Sequence, residues 1–134
     1  MQLSSVFILI MFILNCATVS SVRNAPLHAG KKQVFHADFE KTIEAATAAM
    51  MEAGLEIESR DEVDDNTYML VSKKSSTAVS WGELVRVVVV KKDSKETEVR
   101  VHTKRRVAMN VIAKGDYSEK IFGSIEYFLK KNTP

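Results

Sequence analysis

The sequence contains little cysteine, proline or glycine. Its 134 residues include one Cys, two Pro and five Gly, which excludes an intrachain disulfide and makes collagen-like repeats a poor explanation. An excess of one charge is also missing: 19 Lys and Arg against 17 Asp and Glu give a net charge of +2, too balanced to indicate a nucleic-acid binder. With 46% hydrophobic residues and a length typical of one domain, the composition predicts a single folded domain.

Motifs that carry chemistry are missing as well. No Gly-x-Ser-x-Gly nucleophile elbow occurs, and the only cysteine, Cys16, lies in an N-terminal apolar segment. The histidines, His28, His36 and His102, have no metal-ligand spacing. No glycine-rich loop suited to phosphate is present either. We therefore expect no enzyme activity, no cofactor and no metal site.

An acidic stretch lies in the middle of the chain. It lacks the spacing of a calcium-binding loop, and we predict that it is a solvated connector. Its acidic residues are Glu56, Glu58, Asp61, Glu62, Asp64 and Asp65.

The first 22 residues carry no charge, so all 36 charged residues lie in the remaining 112 positions. From Val6 to Leu14 the chain is apolar without a break, which is typical of the central region of a signal peptide. A membrane-spanning helix needs about 20 such residues. Two alternatives stay open: residues 3–22 form an uncleaved anchor, or the chain is secreted after cleavage near Ala25 or Ala29.

Cys16 directly follows this apolar run, in the order Ile13-Leu14-Asn15-Cys16. The segment resembles the lipobox of bacterial lipoproteins, in the relaxed form of spirochaete lipoproteins that accepts Asn before the cysteine. The usual Lys or Arg before the apolar run is absent. The resemblance implies that Cys16 is diacylated, becomes the mature N-terminus and attaches the protein to a membrane. We predict a signal peptide over 1–15, a lipidated cysteine and flexible tether over 16–32, and one domain over 33–134.

Hydrophobic periodicity predicts the elements of this domain. Asp38 precedes an amphipathic helix that ends at Gly54, and Asp116 with Glu119 has the spacing of a capping box before a last helix. Trp81 is expected in the core, and residues 107–115 fit either a strand or a loop. The fold class is α+β, in the order β-α-β-β-β-α, with a mainly antiparallel sheet, two helices packed on one face and the other face wet. The predicted strands are 33–37, 67–73, 79–91 and 96–106.

Together with the lipobox, this element order resembles the small single-domain lipoproteins of unknown function in bacterial envelopes. The likeness covers residues 33–131 and includes Phe39-Glu40-Lys41-Thr42-Ile43, Gly54-Leu55 and Ser118-Glu119-Lys120-Ile121. A looser likeness exists to the helix-grip domains of a lipoprotein subunit of the outer-membrane protein assembly machine. The resemblance implies an envelope protein anchored by lipid to the inner or outer membrane.

One stretch is unevenly charged. From Lys91 to Arg106 the sequence contains seven basic and three acidic residues. This excess of positive charge predicts either a solvated sheet edge or a surface for a protein partner or anionic headgroups. We expect a membrane-tethered, non-enzymatic domain that binds an envelope protein or supports envelope assembly. The alternatives are a carrier or sensor of a small apolar ligand held between sheet and helices, and an intracellular basic module with a membrane anchor. The candidate surface residues are Lys91, Lys92, Arg100, Lys104, Arg105 and Arg106.

Overall fold

The structure, a computed structural model, describes residues 18–74, 82–105 and 116–134. Its core is a five-stranded antiparallel sheet in the order β1-β5-β4-β3-β2. The α+β class is thereby confirmed. The helices are α1 (Val19–Arg23), α2 (Phe39–Glu52) and α3 (Ser118–Lys131), and the strands are β1 (Lys31–Phe35), β2 (Glu56–Asp64), β3 (Thr67–Lys74), β4 (Glu83–Lys91) and β5 (Thr97–Arg105).

Helix α2 forms where the periodicity predicts it. The Asp38 carboxylate accepts a hydrogen bond from the Lys41 amide over 2.8 Å and so caps the first turn. Gly54, with φ of +75°, ends the helix in a Schellman motif, because the amides of Gly54 and Leu55 bond to the carbonyls of Met51 and Met50. Its buried face is mostly alanine, which brings the backbone close to the sheet. That face consists of Thr42, Ala45, Ala46, Ala49 and Met50.

Helices α2 and α3 cover one face of the sheet, as expected. Strand β4 is central and supplies Val85, Val87 and Val89 to the cluster beneath them, while Ile121 and Ile125 enter from α3. All five of these side chains have no exposed surface. The layer between the sheet and the two helices is therefore filled with apolar side chains.

The opposite face differs from the wet surface that we expected. Helix α1 lies on it, and Val22 is fully buried in a second apolar cluster with Met69, Val71, Leu84 and Val88. The sheet thus has packed layers on both sides, which explains why β4 is buried from Glu83 to Val89. The segment predicted to be a flexible tether is folded from Thr18 onward.

The prediction of a solvated connector in the acidic stretch was wrong, because Glu56–Asp64 forms strand β2. It is a nine-residue strand, seven residues of which pair with β3, and it forms an edge of the sheet. Two register shifts, between Ile57 and Ser59 and between Glu62 and Asp64, interrupt the pairing. Its charges are tolerated because an edge strand keeps much of its surface in water.

The start of α3 also differs in detail. The helix begins at Ser118, whose amide donates to the Asp116 carboxylate over 2.8 Å. Asp116 further pairs with Lys31 of β1 over 3.0 Å, so the predicted capping box with Glu119 is replaced by a local turn. Cys16, Trp81 and residues 107–115 lie outside the described residues.

Candidate partner-binding groove

Two of the basic residues singled out in the sequence, Lys92 and Arg100, are ion-paired. Lys92 lies 3.2 Å from the Glu98 carboxylate, which also accepts a hydrogen bond from Arg100. Arg100 donates a further bond to the Leu27 carbonyl over 3.2 Å. Two of the predicted cations are therefore occupied in holding a nearly buried glutamate and the N-terminal segment.

Glu98 is only 4% exposed, so its charge depends on these partners. Burial by itself raises the pKa of this carboxyl, but the hydrogen bonds and charges of Arg100 and Lys92 outweigh it and lower the pKa below its usual value. The group is an ion-paired structural element of β5. Lys92 and Arg100 are therefore both ion-paired with this one carboxylate.

The other members of the predicted basic set are dispersed. Lys91 and Lys104 are exposed at opposite ends of the sheet, since Lys91 pairs with Thr97 and Lys104 with Leu84 in the strand register. Arg105 is the last residue of β5, and its side chain lies outside the description, as does Arg106. A partner or headgroup surface formed by the whole set stays a prediction.

A buried arginine that sequence reasoning missed lies on the α1 side of β4. Arg86 has no exposed surface, and its guanidinium donates to the carbonyls of Val22, Arg23, Ala25 and Pro26. Burial, and then the nearby charge of Arg100, lower its pKa. The available signal was one cation inside the valine run of the central strand. Such a residue must find acceptors in the core, because an unsatisfied buried charge is costly.

Strand β1 offers a different kind of surface. One of its edges pairs with β5, and among the described residues no strand pairs with the other edge. Alternate N–H and C=O groups of such a strand point outward and remain available to a further strand. Val34, in the middle of β1, is 44% exposed.

A groove of about 680 Å³ follows this open edge and is bounded by the first turn of α2 and the last turns of α3. Phe35 forms part of its lining and is 5% exposed, with its ring centroid 6.2 Å from that of Phe122. The apolar part of the wall includes Val34 and Leu129. The groove therefore combines a free strand edge with apolar contact points.

Two lysines at the rim of the groove are paired with neighbouring carboxylates. Lys130 lies 2.8 Å from the Glu126 carboxylate, and its hydrogen bond and charge lower the pKa of Glu126. Lys41 lies 3.6 Å from Asp38 at the start of α2. Both lysine charges are thus partly neutralised within the chain, beside a free strand edge and apolar side chains.

At the other end of the sheet, the partly buried Tyr117 pairs with the buried Glu83. The tyrosine hydroxyl donates to the Glu83 carboxylate over 2.8 Å, and the Tyr117 amide donates to the Thr103 hydroxyl over 3.2 Å. Burial and the neighbouring carboxylate raise the pKa of Tyr117 well above its usual value. The contacts fix the start of α3 to β4 and β5.

Metal ligands and membrane spans were sought in the part of the chain that the structure describes. There, no three His, Cys, Asp or Glu side chains are grouped so that they could hold a metal ion. No helix within residues 18–74, 82–105 and 116–134 has the length and apolar character needed to cross a bilayer. No protein-family model matches the chain, and no curated protein matches it either.

Proposed function

We propose that this chain is a lipid-anchored, non-enzymatic domain of the bacterial cell envelope that binds an extended segment of a protein partner. The anchor is Cys16, in the lipobox-like sequence Ile13-Leu14-Asn15-Cys16. Two acyl chains give stable attachment to a bilayer, whereas one chain is marginal. The partner segment adds as a strand to β1.

The observation that carries the partner-binding part is the groove beside the open edge of β1. Addition of a strand provides affinity through main-chain hydrogen bonds, and pockets for alternate side chains provide specificity. Phe35 and Leu129 lie on the α2–α3 side of the sheet, so they favour a segment whose alternate side chains on that side are apolar. Lys130 and Lys41 at the rim are already ion-paired, so a strongly acidic segment gains little from them.

The packing of the core supports this proposal over a carrier of small apolar ligands. A carrier needs internal space, and its ligand sites are concave and mostly enclosed. Here the layer between the sheet and α2 and α3 is occupied by one continuous apolar cluster. Ile121, Ile125 and Met50, at the centre of that layer, have no exposed surface.

The anchor is tested by the intact mass of the protein extracted from membranes, with Cys16→Ala as the control. We expect a mature chain that starts at Cys16 and carries two or three acyl chains, and a Cys16→Ala chain that lacks them. A full-length unmodified mass would show that residues 3–22 are an anchor instead. A soluble chain starting near residue 26 would show secretion.

The groove is tested with a photo-crosslinking amino acid in place of Val34, and Val63 on the opposite edge strand is the matched control. These valines are 44% and 43% exposed, so nonspecific crosslinking should affect both positions equally. We expect a discrete envelope adduct from position 34 only. The crosslinked partner segment, made as a synthetic peptide, should slow amide exchange in β1. Equal adducts from both positions, or no slowing by the peptide, would contradict the proposal.

A further inference from the structure

Residues 18–30, which we call the clamp, are fixed to the sheet by side-chain and backbone contacts. Thr18 and Ser21 cap α1 reciprocally: the Thr18 hydroxyl accepts from the Ser21 amide over 3.1 Å, and the Ser21 hydroxyl accepts from the Thr18 amide over 3.0 Å. Val22 then enters the apolar cluster on the sheet and is completely buried. Helix α1 is thus held at its start by its cap and at its end by the core.

Arg86 of β4 binds the carbonyl end of α1. Its guanidinium donates to the Val22 carbonyl over 3.2 Å, to the Arg23 carbonyl over 3.4 Å and to the Pro26 carbonyl over 2.6 Å, and it also bonds to Ala25. The last carbonyls of a helix have no partner within the helix. A fixed planar donor group beneath them therefore satisfies several acceptors at once.

Other contacts continue the clamp on both sides of Arg86. Arg23 pairs with Asp61 of β2 over 2.7 Å, and Arg100 of β5 donates to the Leu27 carbonyl over 3.2 Å. Gly30, with φ of +95°, passes so close to β5 that a β-carbon there would lie 2.1 Å from the Val101 carbonyl oxygen. The segment is therefore attached to β2, β4 and β5 before it enters β1.

We propose that this clamp, residues 18–30, makes the anchor a rigid mount which holds the α1 side of the sheet against the lipid headgroups. The inference rests on the membrane attachment proposed above. Only Ala17 separates Cys16 from Thr18, and two residues span at most about 7 Å. So short a connection keeps the domain close to the bilayer, and its α2–α3 layer lies on the face of the sheet opposite α1.

The test measures the distance of two faces of the domain from the membrane. Acylation of Cys16, the chain's only cysteine, leaves no free thiol, so one introduced cysteine can be labelled alone. Asn24→Cys places a fluorophore next to α1, and Tyr127→Cys places one on α3, where Tyr127 is 57% exposed. The acylated protein is reconstituted in phosphatidylethanolamine and phosphatidylglycerol vesicles that contain a nitroxide headgroup lipid.

We expect the label at position 24 to be quenched several-fold more than the label at position 127. A six-residue Gly-Ser insertion between Ala17 and Thr18 should remove most of that difference, because it supplies the missing slack. Equal quenching of the two labels in the uninterrupted chain, or no effect of the insertion, would overturn the proposal. The intact mass of the same sample shows separately whether the lipid anchor is present.

A second variant tests the clamp itself. Arg86→Met removes the donors, and Arg60→Met, at an exposed position of β2, is the matched control. We expect amide exchange at Asn24, Ala25 and Ala29 to be at least tenfold faster in Arg86→Met only. Unchanged exchange in both variants would refute the clamp. Because exchange is measured whether or not Cys16 is acylated, the clamp and the anchor can fail independently.

Discussion

Replacing Gly30, Gly54 or Gly123 by alanine should change the free energy of unfolding by three different amounts, because their surroundings differ. Gly30 and Gly54 have positive φ angles of +95° and +75°, and Gly123 lies within α3. At Gly123 a β-carbon meets nothing within 4 Å. Alanine there should raise the free energy of unfolding by about 0.5–1 kcal/mol, because glycine is a poor residue in a helix.

Gly54→Ala should cost about 1 kcal/mol. The left-handed conformation costs a residue with a β-carbon about 1–2 kcal/mol, and the lower entropy of the unfolded chain returns about 0.4–1 kcal/mol. The added β-carbon lies 2.6 Å from the Lys74 Nζ, which is the end of a flexible side chain and can move aside.

Gly30→Ala should cost about 3 kcal/mol or more. It pays the same conformational cost, and its β-carbon would lie 2.1 Å from a backbone oxygen of β5, which cannot move without disturbing the strand pairing. Displacement of the clamp would also break about two hydrogen bonds, at about 1 kcal/mol each. Urea unfolding of the three variants measures the order. A cost for Gly30→Ala within 1 kcal/mol of that for Gly54→Ala would refute the close approach to β5.

Three further predictions concern the core and its polar pairs. Met50→Ala should lower the free energy of unfolding by about 2–5 kcal/mol in urea titrations, because Met50 of α2 is fully buried. A loss below about 1 kcal/mol would contradict tight packing. The pKa of Glu98 is lowered in the folded protein, so its stabilising effect is complete above the pKa of an unfolded glutamate, about 4.3, and is lost as the pH falls through its folded pKa. In Glu98→Gln, the slope of the free energy of unfolding against pH below about 4.3 should therefore be shallower. An unchanged slope would contradict this. Tyr117→Phe should cost about 1–3 kcal/mol by leaving Glu83 without its hydrogen bond. The raised pKa of Tyr117 also predicts stability that falls as the pH rises above about 10, and ultraviolet titration should lose its last tyrosine transition in the variant.

Elements with strong apolar periodicity were predictable from the sequence. Helix α2, with its cap at Asp38 and stop at Gly54, follows from local patterns that act within a few residues. The valine-rich β4 is equally clear, since a central strand buried on both faces reads as a continuous apolar run.

Strand β2 and helix α1 were not predictable in the same way. The inward positions of β2 include Ser59 and Asp61, so its alternation is masked by polarity, and its strand conformation depends on pairing with β3. Helix α1 is only five residues long, too short to be stable without tertiary contacts. Its position is set by Arg86, 60 residues or more away in the sequence.

The candidate groove could not be located from single residues. It arises because β1 pairs with β5 and leaves one edge open beside the end of α3, a relation between distant parts of the chain. Sequence reasoning instead emphasised the basic residues of β4 and β5. Arg100 and Lys92 show that such charges also have an internal role, because both contact the carboxylate of Glu98.

The two edges of the sheet are unequal, and this sets the stoichiometry of strand addition. On β2, two register shifts and a run of carboxylates interrupt the edge that another copy would have to match, features that discourage strand pairing. Under the proposed strand addition, an incoming strand is thereby restricted to β1, and β2 offers no regular edge for a second one. Binding should therefore end in one-to-one complexes and not in open-ended chains of copies.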